Sequence, residues 1–216
     1  MNDPDKRSEA QVAHDYLLRA DPRLAVLVAQ QGPLDPYVWS GIPVADGDRL
    51  GGLALHIVSQ QISTRVALLL YDRLVTLLGG HIDAAALAAA DEQELRDAGL
   101  PHAKARTLRG LAESLESGAL DLDALDELDD AAVQARLTAL PGIGPWSSQM
   151  FLLHELRRAD IFPAGDVALR AAMARIDARP LTPGPREAAG RAEIWRPYRS
   201  YAAAHLWAAN RARREF

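Results

Sequence analysis

Five residues constrain this chain more than any others. Positions 141–145 read Pro-Gly-Ile-Gly-Pro and stand between two stretches of helical character. Residues 131–139 (AAVQARLTA) predict a helix with Asp129 or Asp130 as N-cap. Pro141 ends it, and two glycines spaced by one residue permit a tight turn with positive φ. A second helix starts at about Pro145-Trp146, since proline is tolerated in a first turn. The spacing predicts a helical hairpin whose amides at Gly142, Gly144 and the new helix start point outward together. With the helix dipole behind them they form an anion site that needs no basic side chain. A phosphodiester suits it, because amide contacts to phosphate hold a protein on DNA without reading sequence. Taken alone, Pro-Gly-Ile-Gly fits an ordinary helix–helix connector equally well.

The rest of the chain gives the hairpin helical surroundings. Residues 1–20 are a short amphipathic lead with Val12, Tyr16 and Leu17 at helical spacing. Asp21-Pro22 opens a helix to Gln31, and Gly32-Pro33 ends it. Residues 34–48, rich in Pro and Gly, predict a loop or a short strand pair. Two largely apolar and therefore central helices follow, over 50–60 and 64–78, broken at Gln60-Gln61-Ile62-Ser63 with Ser63 as N-cap. Short helices over 83–89 and 91–98 precede a longer one from Pro101 to Glu116. The run DLDALDELDD at 121–130 is read as a solvated connection. Helices over 167–176, 186–194 and 197–211 complete the chain. The fold class is all-α.

Composition bounds the chemistry. The 216 residues contain no cysteine, which excludes disulfides, thiolate metal sites and a four-cysteine iron–sulfur cluster. No apolar run approaches the ~18–20 residues that cross a bilayer, and the polar, acidic start shows no signal peptide. A cytoplasmic location without membrane attachment is expected. The net charge of −5 sits awkwardly with DNA binding, but it is unevenly placed. Residues 131–216 hold 13 arginines against 7 acids, a net +6, whereas residues 1–130 come to −11. None of the six histidines falls in a metal-binding pattern.

The longer run LPGIGPWSSQMFLL, followed by FPAGDVALR with Asp166 22 residues after Gly144, resembles the helix-hairpin-helix (HhH-GPD) DNA glycosylases. Within that superfamily it is most similar to the bacterial DNA-3-methyladenine glycosylase II family. Residues 56–64, HIVSQQIST, look like the segment that carries the family's DNA-inserting wedge. Residues 195–207, WRPYRSYAAAHLW, look like its closing helix. The four motifs occur in the family's order between about residues 21 and 209. The resemblance implies two helical lobes with the active site in the cleft between them. On this reading residues 1–45 are an N-terminal segment packing on the C-terminal lobe. Residues 46–130 are the lobe with the wedge turn, and 131–216 carry the hairpin, the catalytic aspartate and the closing helix.

The resemblance also assigns roles. The family's catalytic aspartate falls on Asp166; many members carry two acids there, and Gly165-Asp166 keeps only the second. A carboxylate beside C1′ stabilises the oxocarbenium character that develops as a base leaves, and it orients or deprotonates water. Relatives that also cut the backbone carry a lysine just after the hairpin, where this chain has Trp146. With no amine for a Schiff base, the implied enzyme is monofunctional and lacks abasic-site lyase activity. Its implied substrates are cationic alkylated purines such as 3-methyladenine and 7-methylguanine in double-stranded DNA. An indole face gains roughly 0.5–2 kcal/mol over such a cation. Trp146 and Trp207 match the family's pocket aromatics, with Met150 as floor and Trp39, Tyr37 and Phe162 as further walls.

Extruding a base costs a few kcal/mol and leaves a gap in the stack, which Gln61, with Ile62 as runner-up, is placed to fill. Gly142, Ile143 and Gly144 would meet the strand. In the superfamily the hairpin carbonyls, here those of Thr138, Leu140 and Ile143, hold a sodium or potassium ion; no other cofactor is expected, and the protein is expected to be a monomer. Arg170, Arg196 and Arg199 either meet phosphates or form structural ion pairs, the commoner fate. Two alternatives remain: a non-catalytic DNA-damage binder, left open by Gly165 and Pro145, and a bifunctional oxidised-base glycosylase, opposed by Trp146.

Overall fold

The computed structural model describes residues 8–38 and 44–211, and every regular element among them is helical. In chain order these are α1 (Glu9–Ala20), α2 (Pro22–Gln31), α3 (Arg49–Ser59), α4 (Thr64–Leu77), α5 (Ala84–Ala89), α6 (Glu92–Asp97), α7 (His102–Glu116), α8 (Asp130–Thr138), α9 (Pro145–His154), α10 (Val167–Ile176), α11 (Pro185–Ala192) and α12 (Arg199–Arg211). The starts are written in the sequence. The side chains of Asp21, Asp48, Ser63, Asp83, Asp91, Asp129 and Asp166 each accept a main-chain N–H in the turn that follows. Much of the acidic surplus is therefore helix capping. The acidic run at 121–130 contains one short 3₁₀ turn, Ala124–Glu127, and then the cap of α8. Among the described residues of 34–48 there are turns but no strand pair; Asp35 and Asp48 direct their carboxylates at local amides instead.

The chain divides into two compact units, 1–38 with 157–216, and 39–156. In the first, α12 packs on α10, α2 and α1. Its core holds Leu17, Leu24, Val28, Leu169, Trp195, Tyr201 and Leu206, all almost fully buried. Asp21 binds this unit together: its carboxylate accepts from Trp195 Nε1 at 2.9 Å and pairs with Arg191, which also bridges to Asp177. Burial raises the Asp21 pKa, but the bonds from Arg191 and Trp195 outweigh it and hold the carboxyl below its ordinary value.

In the second unit α3 is the central element, buried from Gly51 to Val58 and packed by α4, α7 and α9. The hairpin helices α8 and α9 pack on each other, and α9 packs on α3. The hairpin therefore belongs with the wedge-turn helices, not with Asp166 as a boundary at 130/131 implies. The physical reason is the apolar face of α9, whose Met150, Phe151, Leu152 and Leu153 are buried in this unit.

Candidate active site

The hairpin is built as its punctuation predicts, with one difference. Gly142 has φ +91, and a Cβ there would lie 1.9 Å from Thr107 Oγ1 on α7. Gly144 instead is extended, at φ −97 and ψ 177, and serves as N-cap of α9. A Cβ on Gly144 would meet nothing within 4 Å, so neither strain nor crowding in the protein demands glycine there. No side chain caps α9. Its first amides and positive dipole end keep the character of an anion site. Ile143 is buried and its amide donates back to Leu140 O at 3.1 Å, which closes the turn.

The wedge turn lies in the same unit. Gln61 is exposed and has φ +58, in the left-handed region that costs a residue other than glycine about 1 kcal/mol or more. Ile62 is half-buried. Gln60 turns its amide the other way: Nε2 donates to Gly142 O at 3.0 Å and to Ser147 Oγ at 2.9 Å. Below it, Lys104 Nζ donates to Val58 O at 2.6 Å and Gln60 O at 2.9 Å. Burial lowers the Lys104 pKa. Neither the Gln60 contacts nor those of Lys104 announced themselves in the sequence. A lone lysine among the apolar positions of α7 was the one available sign.

Trp146 is half-buried and Met150 buried in this unit. His56 meets Trp146 edge-on with ring centroids 6.5 Å apart, and its Nε2 lies 3.0 Å from Glu155. Trp39 lies outside the described residues.

In the other unit, Asp166 opens α10. Its Oδ1 accepts from Leu169 N at 2.8 Å and from Trp207 Nε1 at 3.4 Å, and the residue is half-buried. The following Val167 is 67 % exposed, so α10 begins at the surface. The loop before Asp166 is held by the start of α12. Ser200 Oγ donates to Arg158 O at 2.6 Å and accepts from Ile161 N at 3.0 Å, and Arg199 pairs with Asp160 at 2.7 Å. On α12, Asn210 Nδ2 donates to Ala168 O at 2.6 Å. A carboxylate with its cap bond, an indole donor and a pinned loop is oriented before any substrate arrives.

Several further candidates have structural partners. Arg196 and Arg199 pair with Asp160 and Glu193, and Arg170 donates to Pro183 O at 2.9 Å. Phe162 is buried against Trp195 with centroids 5.5 Å apart, and Tyr37 packs edge-on to Tyr201. A hollow of about 540 Å³ lies elsewhere, beside Asp48, Glu116, Asp121 and Asp123, where the acids disfavour a polyanion. No cluster of His, Cys, Asp and Glu suited to a metal ion occurs among the described residues. No helix among them is long and apolar enough to cross a membrane.

A model of the HhH-GPD superfamily of base excision DNA repair proteins matches residues 55–197, from α3 through the hairpin and Asp166 to the start of the closing segment. The chain belongs to this superfamily. Among HhH-GPD relatives, a probable bifunctional transcriptional activator/DNA repair enzyme of Mycobacterium tuberculosis is 34% identical over 164 residues, covering 70% of this chain and 31% of that protein. DNA-3-methyladenine glycosylase 2 of Escherichia coli is 30% identical over 163 residues, covering 70% of this chain and 54% of that one. The chain thus spans about a third of the first relative and about half of the second. A solved structure of a Schizosaccharomyces pombe 3-methyladenine DNA glycosylase in complex with abasic DNA superposes with a TM-score of 0.83 at 25% identity, over 91% of this chain and 95% of that one. The all-helical HhH-GPD fold is shared along nearly the whole length.

Proposed function

We propose that this HhH-GPD protein is a monofunctional DNA glycosylase that hydrolyses the N-glycosidic bond of alkylated, cationic purines. The observation that carries the reading is Asp166, fixed at the start of α10 by the Leu169 amide and the Trp207 indole. Placed beside C1′, this carboxylate stabilises positive charge on the deoxyribose as the bond breaks and orients the water that replaces the base. A methylated purine already carries positive charge and leaves readily, so aromatic faces at Trp146 and Trp207 suffice to hold it. Gln61 fills the gap left in the stack, and amides at Gly142, Gly144 and the start of α9 hold a phosphate. The names of the relatives, 3-methyladenine glycosylases among them, support this substrate class.

The lysine inventory supports base removal without strand cutting. The chain has two lysines, Lys6 and Lys104. Lys104 is buried with its ammonium on two main-chain carbonyls, so it is committed to structure and not to Schiff-base chemistry. The carbonyls of Thr138, Leu140 and Ile143 would hold an alkali cation. Thr138 ends α8, where the last carbonyls of a helix lack partners within it, and Leu140 O, which accepts one N–H from Ile143, keeps a second lone pair for a cation.

Duplex DNA carrying methylated purines is incubated with the protein and with Asp166→Asn, then treated with alkali. Alkali-dependent breaks from the wild type, falling by at least about a hundredfold in the variant, are expected for loss of such a charge at the reacting centre. Breaks without alkali would overturn the monofunctional reading. No breaks from either protein, with DNA still bound, would establish a non-catalytic damage binder.

A further inference from the structure

The wedge turn and the hairpin are 81 residues apart in sequence at Gln61 and Gly142, yet one set of contacts builds them both. Lys104 fixes Gln60 O, and that oxygen belongs to the peptide plane whose N–H is that of Gln61. The ammonium therefore sets the peptide that leads into the left-handed residue at the tip. The side chain of Gln60 then reaches Gly142 O and Ser147 Oγ, in the hairpin and the first turn of α9. Thr107, one helical turn beyond Lys104, fills the space beside Gly142 that a side chain there would need. One face of α7 thus carries both the turn that would enter the stack and the loop that would hold the strand.

The chemistry of the joint favours rigidity. The carbonyls at the end of α3 have no partners within the helix, and a cation placed there interacts favourably with the dipole. Lys104 is 9% exposed, and both of its partners are main-chain oxygens. A carbonyl pair, unlike an aspartate or glutamate side chain, has no rotamer freedom of its own, so it ties the ammonium to the backbone itself. Burial lowers the ammonium's pKa, and the two carbonyls are the partners that offset the cost of burying it.

We propose that Lys104 and Gln60 are positioning residues that lock the wedge turn to the hairpin, so that gripping the phosphate and inserting Gln61 occur as one rigid-body event. The proposal rests on the glycosylase reading for its DNA substrate, but on no residue that performs the chemistry. It makes Gln60 and Gln61, neighbours of the same type, functionally unlike: one faces the protein and the other the stack.

The test uses Lys104→Met and Gln60→Met, which keep bulk but remove the donors, with Lys104→Arg as the conservative variant. The first readout is fluorescence of 2-aminopurine placed opposite a tetrahydrofuran abasic analogue in a duplex, which reports filling of the gap. The second is single-turnover release of 7-methylguanine from a paired duplex and from the same lesion left unpaired. Extrusion costs a few kcal/mol in the paired form and least where the base is unpaired, so a loose wedge should lose about tenfold on the first and about twofold or less on the second. The fluorescence change should fall with it, and Lys104→Arg should recover part of both. Equal fluorescence in all proteins, or losses that run parallel on paired and unpaired DNA, would overturn the proposal, because a merely structural role lowers both alike. If Lys104→Met does not fold, Gln60→Met alone decides. If the wild type releases no base at all, the glycosylase reading fails, and the fluorescence readout still decides the coupling.

Discussion

Gly142 and Gly144 stand two residues apart and carry opposite constraints. At Gly142 the backbone has φ +91 and Thr107 Oγ1 occupies the place of a Cβ, 1.9 Å away. Gly142→Ala therefore meets a left-handed backbone and a packed α7 at once, and should destabilise the protein by about 1–3 kcal/mol. At Gly144, φ is −97 and nothing lies within 4 Å. Gly144→Ala should leave the melting temperature within about 2 °C of wild type, yet weaken DNA binding, because the only thing a methyl group can obstruct there is an incoming backbone. Thermal melts set beside a binding titration separate the two. A melting temperature lowered equally by both substitutions would show that Gly144 is a folding requirement after all. The sequence presents these glycines as equivalent. What distinguishes them is Thr107, a residue 35 positions upstream of Gly142, and no local pattern reports that.

Helix α3 shows how an element is shaped for its neighbours. Gly52 has no side chain, and the Glu155 carboxylate occupies the space, with Oε1 2.1 Å from a built Cβ. From there Glu155 reaches His56 Nε2 at 3.0 Å, and His56 lies edge-on to Trp146. Gly52→Ala should push the carboxylate off the histidine and cost about 1–3 kcal/mol, the penalty for a buried polar group losing its partner. In a Glu155→Ala background the same substitution should be neutral or stabilising by up to about 1 kcal/mol, since alanine is the better helix former. A thermal double-mutant cycle checks the coupling, and additive effects would remove Glu155 as the reason for the glycine. The course of α3 was legible, from its apolar run and the break before Ser63. Its glycines were not, because a helix-weakening residue makes sense only once the distant carboxylate is in view. The same holds for Lys104 and Ser200, whose partners are main-chain oxygens and amides far along the chain. Caps, by contrast, bond within three residues, so Asp21 and Ser63 could be read directly and the cap of α8 narrowed to Asp129 or Asp130.

In the molecule as a whole, segments remote in sequence are closed together around a few buried polar groups, and that makes its acid stability predictable. In the unit formed by residues 1–38 and 157–216, His205 on α12 is 1% exposed, with Nδ1 2.7 Å from Gln31 Oε1 on α2. Burial first, and the nearby His14 second, push its pKa down to about 4 from the ordinary 6.5. The unfolded chain then binds a proton between these values that the folded chain refuses, so stability rises with pH across that window and is fully present above about 6.5. As pH falls from 6.5 towards 4, the contribution is lost at roughly 1.4 kcal/mol per unit, about 3 kcal/mol in all. Asp21, held below its ordinary pKa, adds a further loss only under pH 3.8. The first step of acid destabilisation should therefore belong to the histidine and the second to the carboxylate. Urea melts from pH 7 to about pH 3 should show a falling midpoint at unchanged slope. His205→Gln, which keeps a neutral polar group in place, should flatten the curve between pH 6.5 and 4 while leaving the fall below it. An unchanged pH dependence in that variant would locate the proton elsewhere. None of this could be foreseen from composition, in which His205 is one of six histidines; the closure of α12 on α2 is what removes it from water.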